Sequence, residues 1–577
     1  MKILTNGRVV LSASDMTAVS DCEWAFVRRL DKGLGHSITL PANTDGMLKK
    51  AAELGDVRER KILARYHELY PGDVVEIADA RYYPSAVNAD ESFIAFKNER
   101  REETLVALAK RSKVVFQATF FDGEFQGLAD FLVLHEDGYY EVFDAKLARK
   151  AKVTALLQLA AYADQLLAAG IPVGPRVHLI LGGGQETSHK LSDIMPVFLK
   201  RRSRLRRIID DRVAHKTGGG GAVEWNDADY AMCGKCPACE EQINQRNDLL
   251  LVADLRLSQR KKLRAAGINT VAELANSVGP VAEMMAGTLD TLRAQAQAQV
   301  RSAELPEDQP PYYMVDRPEG LDIIPEPSDG DIFFDFEGDP LYEEGGLWNL
   351  DYLFGLVDAR NNFHAFWAHS IPEEKKALIA FMDYVQAKRT AHPGMHIYHY
   401  AAYERTHLLQ LARRHGVCED EVDQLVREHV LVDLYPILKR SIRVGSPSYS
   451  LKKIEKIYDP LAHGGDGVVT AADSILEYNK YRDLVEQGHT GEAQAQLADL
   501  ENYNKEDCES TRKLRDWLLA ERTGPGHVLV EEVPQREDFD DEAEPLEVAL
   551  GALIEGVELA DRTPNDTAVA LAIAALR

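Results

Sequence analysis

One stretch, residues 127–162, constrains the fold of this chain more than any other. An apolar run follows Asp130 and ends at a turn signal at residues 136–138, after which a second, alternating run carries Asp144 and Lys146. Two such runs joined by a short turn predict a pair of antiparallel strands. Because side chains alternate along a strand, Asp144 and Lys146 lie on one face of it. The sequence therefore predicts a β-hairpin that presents two carboxylates and a lysine.

The chemistry of these side chains points to a metal. Two carboxylates that converge repel each other unless a cation lies between them, and oxygen ligands favour Mg²⁺ or Mn²⁺. A lysine beside such a metal can orient or deprotonate a water molecule, or stabilise negative charge on a phosphate. The segment that follows carries Gln158 and Tyr162, which lie on one face of a helix because they are four residues apart. The alternative is an ordinary amphipathic hairpin with a surface salt bridge.

The order and spacing of Asp130, Asp144-x-Lys146 and Gln158-x3-Tyr162 resemble the core of the PD-(D/E)XK nucleases, and within them the RecB type. The resemblance implies a nuclease in which Asp130 and Asp144 bind Mg²⁺ or Mn²⁺. It also implies that Lys146, Gln158 and Tyr162 belong to the same catalytic site.

The same resemblance implies a further metal ligand on an earlier helix. Residues 47–70 have the pattern of that helix. Arg58 stands where the family has a histidine, so Glu59 is the better candidate for the ligand. His67 and Glu68, two turns further on, are the alternative.

Length, composition and charge limit the class of protein. A chain of 577 residues is too long for a single core and should form two to four domains. With 45% hydrophobic and 28% charged residues, with no apolar run long enough to span a bilayer and with no signal-peptide pattern, we expect a cytoplasmic protein without a membrane partner. A net charge of −26 disfavours general electrostatic binding of nucleic acid, so a substrate groove must be locally basic. The basic run at residues 200–207 could line such a groove or could form a solvated helix face.

The cysteines predict a second kind of metal site. Cys233, Cys236 and Cys239 fall within seven positions, and Cys22 lies far upstream. Four thiolates can bind Zn²⁺ or an iron-sulfur cluster, and the spacing alone does not choose between them. The arrangement resembles the iron-sulfur RecB-type nucleases of the AddB and CRISPR-associated exonuclease types. That resemblance implies that these four cysteines bind a 4Fe-4S cluster that joins the two ends of the nuclease domain.

Residues 247–300 differ in character from the segments before them. Their helical apolar spacing is broken at Gly267 and Ile268, and Thr270 can cap a following helix. This resembles a helix-hairpin-helix module, which binds the phosphate backbone without reading sequence. A helical spacer is the alternative.

A second group of carboxylates follows. Asp335 and Glu337 lie at the end of an apolar strand and point the same way, and residues 396–404 form a strand that runs into a helix carrying Glu404. Further on, a helix is predicted to begin at Tyr503 and to place Asp507 one turn later on the same face.

This second group resembles the DnaQ-type, or DEDD, 3′–5′ exonucleases of the RNase H-like fold. The resemblance implies that Asp335, Glu337, Glu404 and Asp507 bind two Mg²⁺ ions while Tyr503 orients the attacking water. Glu404 replaces the family's aspartate, and Asp433 in Val-Asp-Leu is a rival for its role. An RNase H-like domain that serves only as a scaffold is the alternative.

The sequence thus predicts an α/β multidomain fold. We expect a PD-(D/E)XK domain at residues 1–245 with the four-cysteine clasp, a small helical module at 246–304, a linker at 305–324, an RNase H-like domain at 325–522, and an acidic linker with a possibly incomplete final segment at 523–577.

Both domains together resemble a bacterial family of RecB-like nucleases in which they precede a superfamily I helicase. This sequence contains no Gly-x4-Gly-Lys-Ser/Thr loop and therefore carries no motor itself, so the chain is either a truncated form or works with a separate helicase. The resemblance implies a metal-dependent DNA nuclease of repair, recombination or defence. Two alternatives stay open. One is an RNase D-like enzyme that trims RNA 3′ ends through the second domain only, and the other is a non-catalytic adaptor that holds nucleic acid for a helicase.

Overall fold

The computed structural model describes residues 1–41, 46–77, 89–306, 309–460 and 471–522, together with positions 550, 553, 554 and 569. The chain divides into two compact units, Met1–Pro525 and Gly526–Arg577. Apart from those four positions, the predicted acidic linker and final segment at 523–577 lie outside the described residues. No helix that the structure describes combines the length and the hydropathy that crossing a bilayer requires.

The first part of the chain forms a mixed sheet covered by helices. Its elements are β1 (Lys2–Ile3), β2 (Val9–Ser12), α1 (Ala13–Asp21), α2 (Glu23–Gly33), α3 (Gly46–Leu69), β3 (Val74–Glu76), α4 (Ala89–Ala109), β4 (Val114–Phe121), β5 (Phe125–Leu134), β6 (Tyr140–Ala145), α5 (Val153–Ala168), β7 (Val173–Ile180), β8 (Glu186–Lys190), α6 (Leu191–Thr217) and α7 (Pro237–Gln245). The strand order among the described residues is β1-β2-β5-β6-β7-β8, with β3 and β4 joined to β5 through β4.

The predicted hairpin is confirmed as β5 and β6, which pair antiparallel from Phe131 opposite Phe143 to Leu134 opposite Tyr140. The predicted helix at 47–70 is confirmed as α3. Strand β6 also pairs in parallel with β7, so it is flanked on both sides and lies in the middle of the sheet. This position makes its carboxyl end a rigid support for the side chains that follow it.

Helices α1, α2, α5 and α6 share one core with the sheet, in which Trp24, Phe26 and Leu30 of α2 are fully buried. A buried ion pair connects α2 and α6 within the same core. The guanidinium of Arg212 donates to both oxygens of Asp31 at 2.8 and 2.7 Å, and the amide of Val223 donates to Asp31 Oδ2 at 2.7 Å. Because Asp31 is fully buried, loss of either partner would leave an uncompensated charge.

A small helical region follows, with a 3₁₀ turn at Leu249–Leu251, α8 (Leu257–Ala265), α9 (Val271–Ala275) and α10 (Ala286–Ala303). The predicted break lies between α8 and α9, where Gly267 has a φ of +83°. The predicted cap is confirmed, because Thr270 Oγ1 accepts a hydrogen bond from the amide of Glu273 at 3.2 Å. Binding of phosphate by this region stays a prediction.

The last described part contains a second sheet of five strands and a separate two-stranded sheet. Its elements are β9 (Tyr313–Val315), a 3₁₀ turn (Pro318–Leu321), β10 (Ile332–Glu344), β11 (Leu347–Asp358), β12 (Phe363–Trp367), α11 (Ile371–Ala391), β13 (Ile397–His399), α12 (Tyr403–His415), α13 (Glu419–Arg427), β14 (Leu431–Asp433), α14 (Leu434–Ser441), β15 (Ile442–Val444), α15 (Leu451–Tyr458), α16 (Ala471–Glu486) and α17 (Thr490–Ala520). The strand order is β12-β11-β10-β13-β14, with β10 to β12 antiparallel and β13 and β14 parallel to β10.

The predicted start of the last helix was wrong. The helix does not begin at Tyr503 but at Thr490, more than three turns earlier. Residues 490–502 are rich in alanine, glutamine and leucine, which favour helix, and contain no proline to stop it. The added turns bury Ala493, and they pack Leu500 into the core of the second sheet, so tertiary packing supports them.

The side chains of β10 alternate between the two faces of the second sheet. Phe334 and Phe336 face the core shared with α11, whereas Phe333 faces the core shared with α14 and α17. Asp335 and Glu337, at the alternate positions, therefore lie on the Phe333 face, which α17 crosses.

Candidate metal centres

The residues predicted around the hairpin lie together. Glu59, Asp130, Lys146, Gln158 and Tyr162 line one cavity of about 340 Å³, which we call the first cavity. Asp144 is fully buried beside it, with its Oδ2 2.6 Å from Lys146 Nζ. The prediction that these side chains converge agrees with their positions in the structure.

Hydrogen bonds fix several of these side chains. Asp130 Oδ2 accepts the amide proton of Ala145 at 2.8 Å, which ties β5 to the end of β6. Gln158 Nε2 donates to Tyr162 Oη at 2.9 Å, as their spacing on α5 predicts. Gln117 Nε2 donates to Glu59 Oε2 at 3.4 Å. The carboxylates are thus positioned by neighbouring elements before any metal binds.

The electrostatics of this group favour a cation. Burial, together with the negative charges of Asp144 and Glu59, raises the pKa of Asp130 well above its usual value. Burial opposes the charge on Lys146, but Asp144 and Asp130 outweigh it and raise the pKa of the ammonium. Asp144 Oδ1 is buried without a hydrogen-bond partner among the described residues. A bound cation would relieve both the repulsion and this unsatisfied oxygen. The three acids are less tightly gathered than the two groups described below, whose ligand atoms meet within 4.8 Å.

Arg58, the departure from the RecB-type pattern, has a structural role. Its guanidinium donates to the carbonyl oxygens of Leu181 and Gly182, the latter at 2.7 Å, and so joins α3 to the turn after β7. The neighbouring Glu59 lines the first cavity. His67 instead contacts Glu76 at 2.9 Å on the surface, so the structure does not bring the alternative ligand to the cavity.

The basic run at residues 200–207 does not line the first cavity. It lies on α6, where Arg202 pairs with Asp164 and Arg204 donates to both oxygens of Glu23 at 3.0 and 2.8 Å. These ion pairs connect α6 to α5 and α2. Three of the six cations in this run, Arg202, Arg204 and Arg206, have carboxylate partners within the fold, which favours the interpretation as a helix face over that as a groove.

Gly182 is expected to be sensitive to a single methyl group. A Cβ at this position would overlap the backbone carbonyl oxygen of Leu147, the residue after Lys146. Gly182→Ala should therefore lower stability by about 1–3 kcal/mol and displace Lys146. At the neighbouring Gly183 a Cβ would meet nothing within 4 Å, so Gly183→Ala is the matched control. Thermal denaturation and DNA cleavage compare the two, and equal behaviour would contradict this account.

The second group of carboxylates is compact. Oxygens of Asp335, Glu337 and Asp507 all lie within 4.8 Å of one another. The first two come from β10 and the third from α17, where that helix crosses the sheet. Glu404, at the start of α12, is buried and close enough to Asp335 for a carboxyl-carboxylate hydrogen bond. It does not belong to the set that meets within 4.8 Å, so it lies at the edge of the group.

Side chains that the sequence did not reveal orient these acids. Asn504 Nδ2 donates to Asp335 Oδ2 at 2.8 Å, and Ser474 Oγ donates to Glu337 Oε2 at 2.6 Å. His399 Nδ1 lies 3.2 Å from Glu404 Oε2. Asn504 could have been found, because it lies three residues before Asp507 on the same helical face. Ser474 and His399 could not, since only the tertiary fold brings them here.

Burial and mutual repulsion act on this group as they do on the first. Burial raises the pKa of Asp335 well above its usual value, and the charges of Glu337 and Asp507 add to the effect. Burial also raises the pKa of Glu337 to about 8. Carboxylates held this close in a buried place fit a bound divalent cation.

Tyr503 lies one turn before Asp507, as predicted, and Lys452 Nζ donates to its hydroxyl at 2.8 Å. Lys452, from α15, also brings a positive charge close to Glu337. Asp433, the alternative candidate for the role of Glu404, has a structural role. Its Oδ1 accepts hydrogen bonds from the amides of Ala401 at 2.8 Å and Tyr435 at 3.0 Å. It holds the loop before α12 and caps α14.

The four cysteines also meet. Sulfur atoms of Cys22, Cys233, Cys236 and Cys239 all lie within 4.8 Å of one another. Cys22 lies between α1 and α2, and Cys239 lies in α7, so the cluster joins the two ends of the first part of the chain. Hydrogen bonds from Cys22 and Cys239 hold the pKa of Cys236 below its usual value, whereas those with Cys22 and Cys236 raise the pKa of Cys239.

Backbone amides point at the cysteine sulfurs. The amide of Ala25 donates to Cys22 Sγ at 3.4 Å, and the amide of Cys236 donates to Cys233 Sγ at 3.2 Å. Amide hydrogen bonds of this kind stabilise negative charge on sulfur and tune metal-thiolate sites. Four gathered sulfurs with such donors fit either a zinc ion or an iron-sulfur cluster.

Comparison with known families identifies one segment. Residues 332–519 match the model of the RNase_H superfamily, and this span runs from β10 to α17 and includes the whole Asp335 group. A comparison with curated proteins gave no significant match. The predicted α/β multidomain fold with an RNase H-like domain is confirmed, and members of that superfamily are generally nucleases that use divalent metals. Residues 332–519 thus form an RNase H-like domain, a fold whose members generally process nucleic acids.

Proposed function

We propose that this chain is a metal-dependent nuclease with two hydrolytic centres that cleave phosphodiester bonds in single-stranded or unwound DNA during repair, recombination or defence. The observation that carries the proposal is the meeting of Asp335, Glu337 and Asp507 within 4.8 Å inside an RNase H-like domain. Tyr503 beside them supplies a hydroxyl at the place where a water must be oriented.

In the RNase H-like domain, Asp335, Glu337, Glu404 and Asp507 would hold Mg²⁺ or Mn²⁺, which supplies a nucleophilic hydroxide at neutral pH and stabilises the leaving oxygen. The Tyr503 hydroxyl accepts a hydrogen bond from Lys452 and lies next to Asp507, where it would orient the attacking water. Asn504 and Ser474 hold the carboxylates in place, so the site is organised before the substrate binds.

In the first part of the chain we assign a PD-(D/E)XK centre. Glu59, Asp130 and Asp144 would hold the same type of ion. Lys146 Nζ orients the attacking water or offsets the charge that develops on the phosphate, and its ion pair with Asp144 fixes its direction. The hydrogen bond between Gln158 and Tyr162 closes one wall of the cavity around this lysine.

For the four cysteines we propose a 4Fe-4S cluster, with Zn²⁺ as the alternative. The cluster would join the junction of α1 and α2 to α7 and so define residues 1–245 as one domain. The proposed remainder is a helical module at 246–304, a linker at 305–324 that packs on the last part of the chain through the pairing of β9 with β15, and the RNase H-like domain at 325–522. A helicase that acts together with this chain would supply the unwound DNA.

One observation favours a second candidate function. The family match covers the RNase H-like domain alone. The chain could therefore trim the 3′ ends of RNA through that domain, as RNase D-like enzymes do, while the first part only binds.

The test compares substrates on the wild-type protein. Single-stranded DNA and a structured RNA with a single-stranded 3′ end, each end-labelled, are incubated with Mg²⁺, with Mn²⁺ or with EDTA. The proposal predicts metal-dependent cleavage of the DNA in preference to the RNA. Preference for the RNA supports the second candidate, and binding without cleavage in Mn²⁺ supports a non-catalytic adaptor and contradicts the proposal.

A further inference from the structure

Lys146 borders a second cavity in addition to the first. This second cavity has a volume of about 240 Å³. Lys146 and Gln158 line both cavities, so the two adjoin at the residues assigned to catalysis. The second cavity is formed by the loop between β6 and α5, by the first turn of α5 and by the end of β7, through Lys150, Lys152, Thr154, Leu179 and Leu181.

The second cavity is positively charged in a chain of net charge −26. Three lysines line it, Lys146, Lys150 and Lys152, and none of its lining residues is acidic. Lys150 and Lys152 are exposed, and neither forms an ion pair with any residue that the structure describes. The first cavity adds Lys97 of α4, which is only 6% exposed and lines the wall of that cavity. Lysines therefore line both cavities that meet at Lys146 and Gln158.

The loop that carries these lysines is anchored. The amide of Lys146 donates to the carbonyl of Ile180 at 3.0 Å, and the amide of Gly182 donates to the carbonyl of Ala148 at 3.1 Å. Helix α5 begins at Val153, so only a few residues lie between the two fixed ends. A short loop held at both ends keeps Lys150 and Lys152 close to the cavity. Ion pairs within the fold engage three of the six cations of the run at 200–207, whereas Lys150 and Lys152 have no carboxylate partner among the described residues.

We infer that the second cavity is the subsite for the nucleotide next to the bond that is cleaved, and that a single strand of DNA runs past Lys97 and Lys146 to Lys150 and Lys152. The inference rests on the proposed nuclease function of the Asp144 centre. Lysines such as Lys150 and Lys152, which have no carboxylate partner among the described residues, suit phosphate. A lining without aromatic rings suits binding through the backbone rather than through the bases. Two small cavities joined end to end fit one strand and not a duplex.

Binding of DNA tests the inference independently of catalysis. The probe is a fluorescent single-stranded oligothymidine, and anisotropy in EDTA gives its affinity at several salt concentrations. Each phosphate contact to a single strand contributes about 0.7 to the slope of log affinity against log salt. The double variant Lys150→Ala/Lys152→Ala should therefore lower that slope by about 1.4. Lys375→Ala/Lys376→Ala on α11 removes the same charge outside both cavities and should leave the slope of the wild type unchanged.

Single-turnover cleavage in Mn²⁺ locates the contact, with Asp335→Asn in every protein so that only the Asp144 centre is active. A series of DNA substrates carries one neutral methylphosphonate, moved one linkage at a time past the cleavage site. The protein with its lysines intact should lose rate when the neutral linkage lies next to the cleaved bond on one side, and the lysine double variant should be slow on every substrate and insensitive at that position. Equal sensitivity of both proteins, with cleavage that still requires Asp144, would overturn the subsite alone. Cleavage in this background that does not require Asp144 would instead overturn the proposed function of this centre.

Discussion

Asparagine in place of Asp335 is expected to reduce cleavage by the RNase H-like domain on the order of 100-fold or more, because a lost metal ligand removes several kcal/mol of transition-state stabilisation. The same change should stabilise the metal-free protein. Asp335 is buried beside Glu337 and Asp507, and its raised pKa reports the cost of charging it there. An uncharged isostere relieves this repulsion and can still accept the hydrogen bond from Asn504. Thermal denaturation in EDTA should show a midpoint higher by about 2–4 °C for each kcal/mol gained.

The variant should also lose its response to metal. Mn²⁺ that binds only the folded wild type raises its denaturation midpoint, and Asp335→Asn should show a much smaller rise. Asp358→Asn is the control on the neighbouring strand. Asp358 is also buried, but amides of Arg360 and Asn362 donate to it at 2.9 Å and, against the effect of burial, hold its pKa below the usual value. Its replacement should destabilise the protein and leave the metal response intact. If Asp335→Asn destabilised the protein in EDTA, this result would contradict the claim that the carboxylates repel one another in the metal-free site.

Alanine in place of Cys236 is expected to remove the metal from the four-cysteine cluster and to destabilise the first part of the chain. Cys22 and Cys239 come from opposite ends of that part, so the cluster closes it. Binding free energy at structural thiolate sites is folding free energy, of about 10–16 kcal/mol for zinc in small domains. Most of this binding free energy depends on the presence of all four cysteine ligands. Metal and sulfide analysis, visible absorption and thermal denaturation of protein purified without oxygen measure the loss.

Cys418→Ala is the matched control, since Cys418 also carries a free thiol but lies outside the cluster at the start of α13. It should keep the metal. A brown wild type with about four irons per chain supports the 4Fe-4S cluster. A colourless wild type with one zinc per chain contradicts the cluster but keeps the four-cysteine site, and a wild type without bound metal contradicts both.

Local patterns predicted the elements that carry the acids. The hairpin of β5 and β6 follows from alternation and from the turn at Gly138, and the cap of α9 follows from Thr270. The start of α17 was predicted wrongly because the helical sequence continues without interruption before the motif at Tyr503. Element types were thus accessible from the sequence, whereas an element boundary depended on packing against the second sheet.

The site was predictable only where residues lie close in sequence or match a known spacing. Asp335, Glu337 and Asp507 meet as expected. Lys452 and Ser474 were missed, since they reach Tyr503 and Glu337 from helices whose packing no local pattern encodes. For the same reason the sequence did not decide whether the run at 200–207 lines a groove or forms a helix face. The number of charged residues in a stretch of sequence does not show which of its cations will pair with carboxylates in the folded protein.

The most direct test of the central claim is cleavage of end-labelled single-stranded DNA in Mn²⁺ by four proteins, namely the wild type, Asp144→Asn, Asp335→Asn and the double variant. The account predicts that each single variant retains cleavage with its own product pattern, because one of the two centres is intact. The double variant should be inactive, while its thermal denaturation shows that it is folded. A folded double variant that cleaves DNA as fast as the wild type would contradict the claim that these two carboxylate centres perform hydrolysis.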